Sequence, residues 1–210
     1  MRVAVYGSGG HGKVVADIVG AMKGHEVVAY LDDDAAKDQQ RIGALEVRAT
    51  RDRLVELAAE LKIKGVALGI GDNTDRARVA ERIRSANLTV MKAIHPRAVV
   101  APSVTIAEGV VIMAGAVVNP YTRLEEGVCV NTSASVDHDC LVHRYAHIWP
   151  GAHVAGSVDI GEFSYIGMGA SVLQNLRIGK NVTVGAGAVV VRNLADGITA
   201  VGVPARNIKV

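Results

Sequence analysis

The sequence predicts an α/β domain with a small parallel sheet over residues 1–93, followed by a parallel β-helix over residues 94–210. Two observations lead to this prediction. An aliphatic residue opens every sixth position from Ile94 to Val190, with no position skipped. Near the N-terminus, an apolar run, a glycine-rich loop and a helical pattern follow one another directly. The charge supports the division, because 15 of the 23 Lys and Arg residues precede position 94.

The six-residue period is typical of a β-helix, in which one hexad cannot bury its apolar face alone and stacked hexads share a core. The fifth place of each hexad agrees, because a small or apolar residue occupies it from Ala98 to Leu194. An amphipathic α-helix would need a period near 3.6, and a half-buried strand would need strict alternation. Neither pattern fits this segment.

A slower period of 18 residues is superimposed on the hexads. If three hexads form one coil, residues 18 apart stack at about the spacing of neighbouring strands, ~4.8 Å. The segment then makes between five and six coils. A column of small side chains predicts a shallow groove along one edge, although glycine also serves tight corners. The recurring pairs are Gly115-Ala116, Ser133-Ala134, Gly151-Ala152, Gly169-Ala170 and Gly187-Ala188.

In the N-terminal domain, apolar runs predict strands at Val3–Tyr6, Val27–Leu31, Val66–Ile70 and Thr89–Ile94. Helical spacing predicts helices after Gly12 and over residues 52–62 and 74–86. A dinucleotide fold joins two mononucleotide halves, and 93 residues supply little more than one. We therefore expect a mononucleotide or nucleotide-sugar site rather than an NAD site.

The loop from Gly7 to Gly12 matches G-x-G-x-x-G between a strand and a helix, which is the context that gives this motif its meaning. Glycines let a phosphate approach the backbone, and a helix N-terminus offers free N–H donors. Asp32 and Asp33 follow the second strand, where an acid often accepts hydrogen bonds from a ribose or base. Asp34 is interpreted as part of a solvated turn.

The composition argues against several partners. A net charge of +2 with no basic cluster gives no field for nucleic acid or for an anionic membrane surface. No apolar run reaches the roughly 18 residues of a membrane span, and no signal peptide pattern opens the chain. We therefore expect a cytoplasmic protein. Cys140 occupies an inward hexad place, and Cys129 has no CxxC partner.

His138 is the strongest candidate for chemistry, because Asp137 and Asp139 flank it. A neutral imidazole can accept a proton from an attacking amine or hydroxyl while a carboxylate on its other nitrogen orients it. Side chains of adjacent residues point to opposite faces of a strand. Asp139 can therefore orient His138 only where the coil turns a corner. The other histidines of the repeat, His143, His147 and His153, fall on different walls of the triangular coil, so we expect no closed metal site within one chain.

Several motifs, in order, resemble the bacterial hexapeptide-repeat sugar acetyltransferases of the sialic acid O-acetyltransferase and UDP-4-amino-sugar (UDP-N-acetylbacillosamine-type) N-acetyltransferase family. They are GSGGHGKVVADI, LDDD, GIGDN, IHP, NTSASVDHDC, YAHIWPGAHVAG and VGVPAR. The resemblance implies that the β-helix is left-handed, that the N-terminal domain is Rossmann-like, and that the chain forms a homotrimer. It also implies acetyl-CoA as co-substrate, in a groove between neighbouring β-helices, and no metal.

The resemblance also implies roles for individual residues. His138 falls on the catalytic base and Asp139 on its orienting acid, which is often glutamate in the family. Asn131 falls near the acceptor sugar, and His147 falls near the acetyl-CoA thioester or its pantetheine arm. The implied sugar-nucleotide contacts are Gly9, Gly10, His11, Gly12, Asp32, Asp33, Gly71 and Asn73. The implied acetyl-CoA contacts, made by main-chain groups, are Gly151, Ala152, Gly169, Gly187 and Ala188.

The resulting hypothesis is transfer of acetyl from acetyl-CoA to the amine of a nucleotide-linked 4-amino sugar, with UDP favoured as the nucleotide. Within the family the alternatives are O-acetylation of sialic acid or a related free sugar and N-acetylation of a GDP-perosamine-type sugar. Two alternatives lie outside it. One is a catalytically silent nucleotide-binding module, and the other is a γ-carbonic-anhydrase-like zinc enzyme.

Overall fold

The computed structural model describes residues 1–208 and divides into two compact units, one ending at Pro96 and the other beginning at Arg97. The last two residues of the predicted β-helix domain lie outside the described range. In the first unit a six-stranded sheet has the order β3-β4-β2-β1-β5-β6. Its strands are β1 (Arg2–Tyr6), β2 (Glu26–Asp32), β3 (Arg41–Ile42), β4 (Leu45–Ala49), β5 (Gly65–Leu68) and β6 (Thr89–Met91).

Three α-helices belong to the first unit: α1 (Gly10–Ala21), α2 (Leu54–Glu60) and α3 (Asn73–Ser85). A 3-10 turn over Ala35–Lys37 and a short strand, β7 (Ala93–Ile94), complete the unit. Among residues 1–208, no helix is both long and apolar enough to cross a membrane.

The apolar runs become central strands because both faces of a parallel sheet are buried in an α/β fold. In β1, residues Val3 to Tyr6 are at most 2% exposed. The predicted parallel sheet is confirmed for five of its strands, whereas β3 pairs antiparallel with β4. Neither of these two strands was predicted. β4 shows no apolar run that would predict a strand, because Val47 is its only fully buried residue, at 1% exposure.

In the second unit, two-residue parallel strands form three flat faces, which we call faces I, II and III in chain order around one coil. Face I begins with Val111–Ile112, Cys129–Val130, His147–Ile148, Tyr165–Ile166 and Thr183–Val184, and ends with Thr199–Val201 and the antiparallel Arg206–Ile208. Face II contains Val99–Val100, Val117–Val118, Ser135–Val136, His153–Val154, Ser171–Val172 and Val189–Val190. Face III contains Thr105–Ile106, Arg123–Leu124, Leu141–Val142, Asp159–Ile160 and Arg177–Ile178.

Strand pairing confirms the period of 18. Val111 pairs with Cys129, Cys129 with His147, and His147 with Tyr165. The aliphatic residue that opens each predicted hexad is the second residue of a strand, and from Ile112 to Val190 it is at most 2% exposed. Burial of this continuous aliphatic column is the main source of stability for stacked repeats.

The core also contains hydroxyl groups, and each is hydrogen bonded as buried polar groups require. Thr122 donates to the Asp137 carbonyl (2.6 Å) and accepts from the Cys140 amide (3.2 Å). Ser164 repeats this pattern two coils and one face later, donating to Gly179 O (2.7 Å). Cys140 itself is 2% exposed, in agreement with its predicted inward place.

The outer surfaces of faces II and III differ in charge. The first residues of the face II strands carry no Lys, Arg, Asp or Glu; they are Val99, Val117, Ser135, His153, Ser171 and Val189. The corresponding residues of face III include Arg123, Asp159 and Arg177. Face III therefore has the composition of a solvated surface, and face II does not.

We predict that truncation inside the coil column destabilises the second unit. Ile148 is fully buried on face I, so Ile148→Ala leaves a cavity and should reduce the free energy of unfolding by about 2–5 kcal/mol. Guanidinium denaturation followed by far-UV circular dichroism measures the change. The matched control, Arg177→Ala on the exposed surface of face III, should stay within about 0.5 kcal/mol of wild type. Equal destabilisation of both variants would contradict the assignment of the core.

Candidate active site

His138 and Asp139 lie in the corner that joins face II to face III, directly after the strand Ser135–Val136. Asp139 adopts a left-handed backbone conformation (φ +57°), which aspartate tolerates better than most residues. The turn brings the two side chains to the same side, and His138 Nδ1 lies 2.8 Å from Asp139 Oδ2. We expected Asp139 to reach His138 only where the coil turns a corner, and the two residues do lie in a corner. On a straight strand their side chains would point to opposite faces.

Asp137 bonds the backbone of the turn and not the His138 ring. Its Oδ1 accepts a hydrogen bond from the His138 backbone amide (2.9 Å) and another from Asn119 Nδ2 (2.8 Å) in the preceding coil. It therefore fixes the turn rather than the imidazole. The sequence places a carboxylate on each side of His138, and the structure assigns only one of them to the ring.

The imidazole of His138 lies over the backbone of Gly156, the residue 18 positions later. A Cβ at Gly156 would stand 2.6 Å from both Cε1 and Nε2 of the ring, closer than side chains approach. The next amide, Ser157 N–H, donates to the His138 carbonyl (2.9 Å), which holds the two coils in register. Gly156 was not among the predicted site residues. The period of 18 could have predicted it, because residue 156 stacks directly on residue 138 in the next coil.

The ring faces an open pocket of about 320 Å³ that the turns of the next two coils, 155–157 and 174–175, help to line. Within residues 1–208, Nε2 has no hydrogen-bonding partner. The hydrogen bond that the His138 ring donates to Asp139, together with the charges of Asp137 and Asp139, raises the pKa of His138 above its usual value. This geometry is compatible with a general base, because one nitrogen is oriented by a carboxylate and the other is exposed.

A second group of predicted residues lies in the corner between faces I and II. Asn131 Nδ2 is 3.0 Å from His147 Nε2, and Asn131 Oδ1 accepts from the Thr132 amide (2.8 Å). Because the amide group donates, Nε2 of His147 is the acceptor and its proton resides on Nδ1. His147 is only 3% exposed, so this pair is firmly held.

The glycine column continues along the same corner. Gly151, Gly169 and Gly187 have φ between +64° and +67°, and nothing lies within 4 Å of the position a Cβ would occupy at any of them. They form an open surface without side chains. The neighbouring Ala152 and Ala188 are fully buried, and their amides and carbonyls are bonded within the coils. These two alanines therefore lie behind the surface that the glycines expose.

The two corners stand at opposite edges of face II. His138 and Asp139 follow a face II strand, whereas Asn131, His147 and the open glycines precede one. One β-helix therefore does not bring the predicted base together with the predicted cofactor surface. The sequence pattern alone did not reveal this separation.

In the first unit, the glycine loop divides into structural and open positions. Gly7 has φ +103°, and a Cβ at Gly12 would lie 1.9 Å from the Gly7 carbonyl oxygen, so both glycines are needed for the fold of the loop. Gly9 and Gly10 have open space where a side chain would be and are exposed. They stand at the N-terminus of α1, where free amides favour an anion.

Asp32 and Asp33 are held by the protein. Asp32 Oδ2 accepts from Ser8 N (3.1 Å), from Ser8 Oγ, and from Lys37 Nζ (3.0 Å). Burial raises the pKa of this carboxyl, but the hydrogen bonds outweigh it and the pKa is lower than usual. Asp33 accepts from the Tyr6 hydroxyl at 2.6 Å, from Thr50 and from Arg82. Sequence reasoning missed these partners, because they converge only in the folded sheet.

Gly71 and Asn73 lie around a fully buried cation. Arg76 is 0% exposed and donates to the carbonyls of Ile70 (3.2 Å) and Gly71 (3.1 Å) and to Asn73 Oδ1 (2.7 Å). Asn73 is the first residue of α3 and is 1% exposed, whereas Gly71 is open. Burial and the charge of Arg76 lower the pKa of His11 to about 4, so His11 is neutral near pH 7.

Comparison with known families adds an independent observation. Residues 2–83 match the model of the PglD N-terminal domain, and residues 157–192 match that of the bacterial transferase hexapeptide (six repeats). A curated relative, the UDP-N-acetylbacillosamine N-acetyltransferase of Bacillus subtilis (strain 168), is 36% identical over 114 residues. That alignment covers 54% of this chain and 51% of the relative, so it spans about half the length of that protein.

Solved structures also match along nearly the whole chain. The acetyltransferase domain of PglB from Neisseria gonorrhoeae FA1090, in complex with acetyl coenzyme A, is 40% identical with a TM-score of 0.90. The match covers 99% of this chain and 98% of that one. PerB from Caulobacter crescentus, in complex with CoA and GDP-perosamine, is 37% identical with a TM-score of 0.91, covering 100% and 98%. The predicted family and fold class are confirmed, and this chain belongs to the bacterial hexapeptide-repeat sugar acetyltransferases that carry a PglD-type N-terminal domain.

Proposed function

We propose that the protein transfers the acetyl group of acetyl-CoA to the 4-amino group of a nucleotide-linked deoxy sugar, with His138 as general base. The observation that carries this proposal is the His138 ring, which has Nδ1 on Asp139 at 2.8 Å and Nε2 facing an open pocket. The names of the relatives support an amine as acceptor, since both the curated relative and the perosamine enzyme act on amino sugars. O-Acetylation of a free sugar has no comparable support.

In the proposed reaction, the neutral sugar amine attacks the thioester carbonyl, and a C–N bond forms as the C–S bond breaks. Nε2 of His138 accepts the proton that the nitrogen loses, and the proton then neutralises the departing CoA thiolate. Nδ1–H keeps its bond to Asp139, whose charge stabilises the imidazolium. Both substrates are bound together, so most of the acceleration comes from their proximity, and no acyl-enzyme is required.

We assign the nucleotide to the first unit. The diphosphate binds at Gly9 and Gly10 at the N-terminus of α1, where amides and the helix dipole favour an anion. Lys37, which is held against Asp32, adds a cation close to Ser8. The Asp33 side chain is 44% exposed and retains surface for the ribose or base, whereas the Asp32 side chain is 13% exposed and mainly holds Ser8 in place. His11, Gly12, Gly71 and Asn73 shape the same loops.

We place acetyl-CoA along the open surface of Gly151, Gly169 and Gly187, with Ala152 and Ala188 supporting it from behind. Because this corner and the His138 corner lie at opposite edges of face II, a complete site needs a second chain. A homotrimer packed through the uncharged face II would set the glycine corner of one chain beside the His138 corner of its neighbour.

We propose a cytoplasmic location, since acetyl-CoA and nucleotide sugars are cytoplasmic metabolites.

The proposal is tested by release of free thiol from acetyl-CoA with a panel of acceptors. UDP-linked and GDP-linked 4-amino-deoxy sugars should give turnover, and sialic acid should not. The thiol signal should be matched by an N-acetylated product in mass spectrometry. His138→Ala should reduce kcat by about 10²–10⁴-fold, because the proton acceptor is lost, while the KM for acetyl-CoA changes little.

The control for His138→Ala is His25→Ala, which removes another histidine outside the repeat and should leave kcat unchanged. An unchanged kcat in His138→Ala would show that another group takes the proton. Thiol release with none of the amino sugars would refute the function itself.

The pH dependence of the reaction should report the Asp139 contact. His138 must be neutral to act, so kcat should fall on the acid side, with a midpoint above the ordinary histidine value because Asp139 raises the pKa of the ring. In Asp139→Asn the carboxylate is gone, so the acid limb should move to lower pH and the plateau should drop as the ring loses its orientation. Glu56→Gln, at an exposed carboxylate of α2, should change neither the limb nor the plateau. An acid limb that stays in place in Asp139→Asn would show that Asp139 does not act on the ring.

Charge on face II should disrupt the proposed trimer. Ser171→Arg places an unpaired cation within the uncharged face II, and we expect light scattering to show monomers and the assay to show lost turnover, with the circular dichroism spectrum unchanged. Thr105→Arg, on the charged face III, should remain trimeric and active. A Ser171→Arg protein that is still an active trimer, or a wild-type protein that is an active monomer, would contradict the arrangement.

A further inference from the structure

The chain contains a single tryptophan, Trp149, and that residue is not fully buried. It follows the strand His147–Ile148 in the corner between faces I and II, and its side chain is 38% exposed. Large aromatic side chains bury most of their area in folded proteins, so an exposed one beside a candidate site needs an explanation. None of the roles assigned above uses Trp149.

The register of the coils fixes the neighbours of Trp149. Asn131 N–H donates to Ile148 O and Trp149 N–H donates to Ile166 O, both at 2.9 Å, so Trp149 stacks one coil beyond Asn131. The indole lies 5.7 Å from the His147 ring between centroids, and the same turn continues into the open Gly151. Trp149 thus stands between the Asn131–His147 pair and the start of the glycine surface.

The indole is held in a defined orientation. Tyr165, one coil beyond His147, packs edge-on against it, with 6.2 Å between centroids and an interplanar angle of 79°. His147 contacts both rings, at 5.7 Å from Trp149 and 6.2 Å from Tyr165. Such edge-to-face packing restricts the two side-chain torsions of tryptophan, so its exposed face is presented as a fixed surface.

The exposed part of Trp149 is amphipathic. Its face is apolar, while its Nε1–H is a donor that finds no acceptor among residues 1–208. A pyranose ring has the complementary character, because its axial C–H groups form an apolar side and its hydroxyls surround the edge. A fixed aromatic face with one free donor therefore fits a sugar ring better than it fits a flexible, amide-containing pantetheine arm.

We infer that Trp149 determines sugar specificity: its face packs on the C–H side of the acceptor pyranose, and its Nε1–H donates to an oxygen of that sugar. This inference rests on the proposed function and adds the surface that recognises the sugar itself. An apolar platform favours a sugar with a methyl group at C6 over one with a hydroxymethyl group, because the hydroxyl would lose its water without gaining a partner.

Fluorescence provides a test that does not require turnover, because all indole emission of the chain comes from Trp149. Titration with the 4-amino-deoxy sugar linked to its nucleotide should change the intensity or the wavelength of emission. The free nucleoside diphosphate should bind without that change, since it lacks the sugar. Equal responses to the nucleotide and to the nucleotide sugar, or no response to either at saturation, would overturn the inference.

Kinetics supply the second test. Trp149→Ala should raise the KM for the nucleotide sugar about tenfold, which corresponds to the loss of one aromatic contact, and leave the KM for acetyl-CoA unchanged. Trp149→Phe should restore part of the affinity, because it keeps the ring and loses only the donor. Val55→Ala removes an exposed apolar side chain of α2, away from both proposed binding surfaces of the second unit, and should behave as wild type.

The outcomes separate the two proposals. If the wild type acetylates amino sugars but Trp149→Ala raises the KM for acetyl-CoA or accepts longer acyl groups, the indole contacts the acyl arm and the inference is wrong. If Trp149→Ala instead dissociates the oligomer, the indole is a subunit contact and the inference is again wrong. If no amino sugar is acetylated by the wild type, the proposed function fails.

Discussion

Parallel stacking of coils 18 residues apart is the constraint on which the rest of the second unit depends. From Val111 to Ser171, the amide of the first residue of each strand donates to a carbonyl of the next coil at 2.8–3.0 Å, and the aliphatic residue that follows it is buried. Because the register is strict, a residue is placed by its number alone. Gly156 must lie beside His138, and Trp149 must lie beside Asn131. The repeat therefore determines which residues neighbour His138 and Asn131 in the next coil.

The corners of the coils place neighbouring side chains on the same side of the chain, which the strands cannot do. A strand sends neighbouring side chains to opposite sides, and only the left-handed conformation of Asp139 turns its carboxylate toward the His138 ring. At the other edge of face II, the same conformation at Gly151, Gly169 and Gly187 occurs without side chains and leaves a bare surface. One backbone geometry thus produces the His138–Asp139 pair at one corner and a bare glycine surface at the other, and the proposed trimer is the means of joining them.

In the first unit, the two carboxylates that the sequence pattern predicts to bind a ribose or base, Asp32 and Asp33, also hold neighbouring side chains in place. Asp32 holds Ser8 and Lys37, and Asp33 holds Tyr6, Thr50 and Arg82. The buried Arg76 performs the same task for the loop at Gly71. Such networks cost little when every partner is satisfied, and they fix the conformation of the loops around Ser8 and Gly71. In the proposed function, Gly9 and Gly10 face the phosphates with their backbone alone.

The sequence by itself determined the β-helix, its period and the place of His138, because a repeat of six with inward aliphatic residues has only one way to bury them. It also located the glycine loop after β1, since Gly7 and Gly12 are needed there for backbone reasons. The tertiary structure alone decided which of two aspartates meets the His138 ring, that Gly156 makes room for it, and that β4 joins the sheet. These depend on turn conformation and on contacts between residues far apart in the chain, which a linear pattern does not encode.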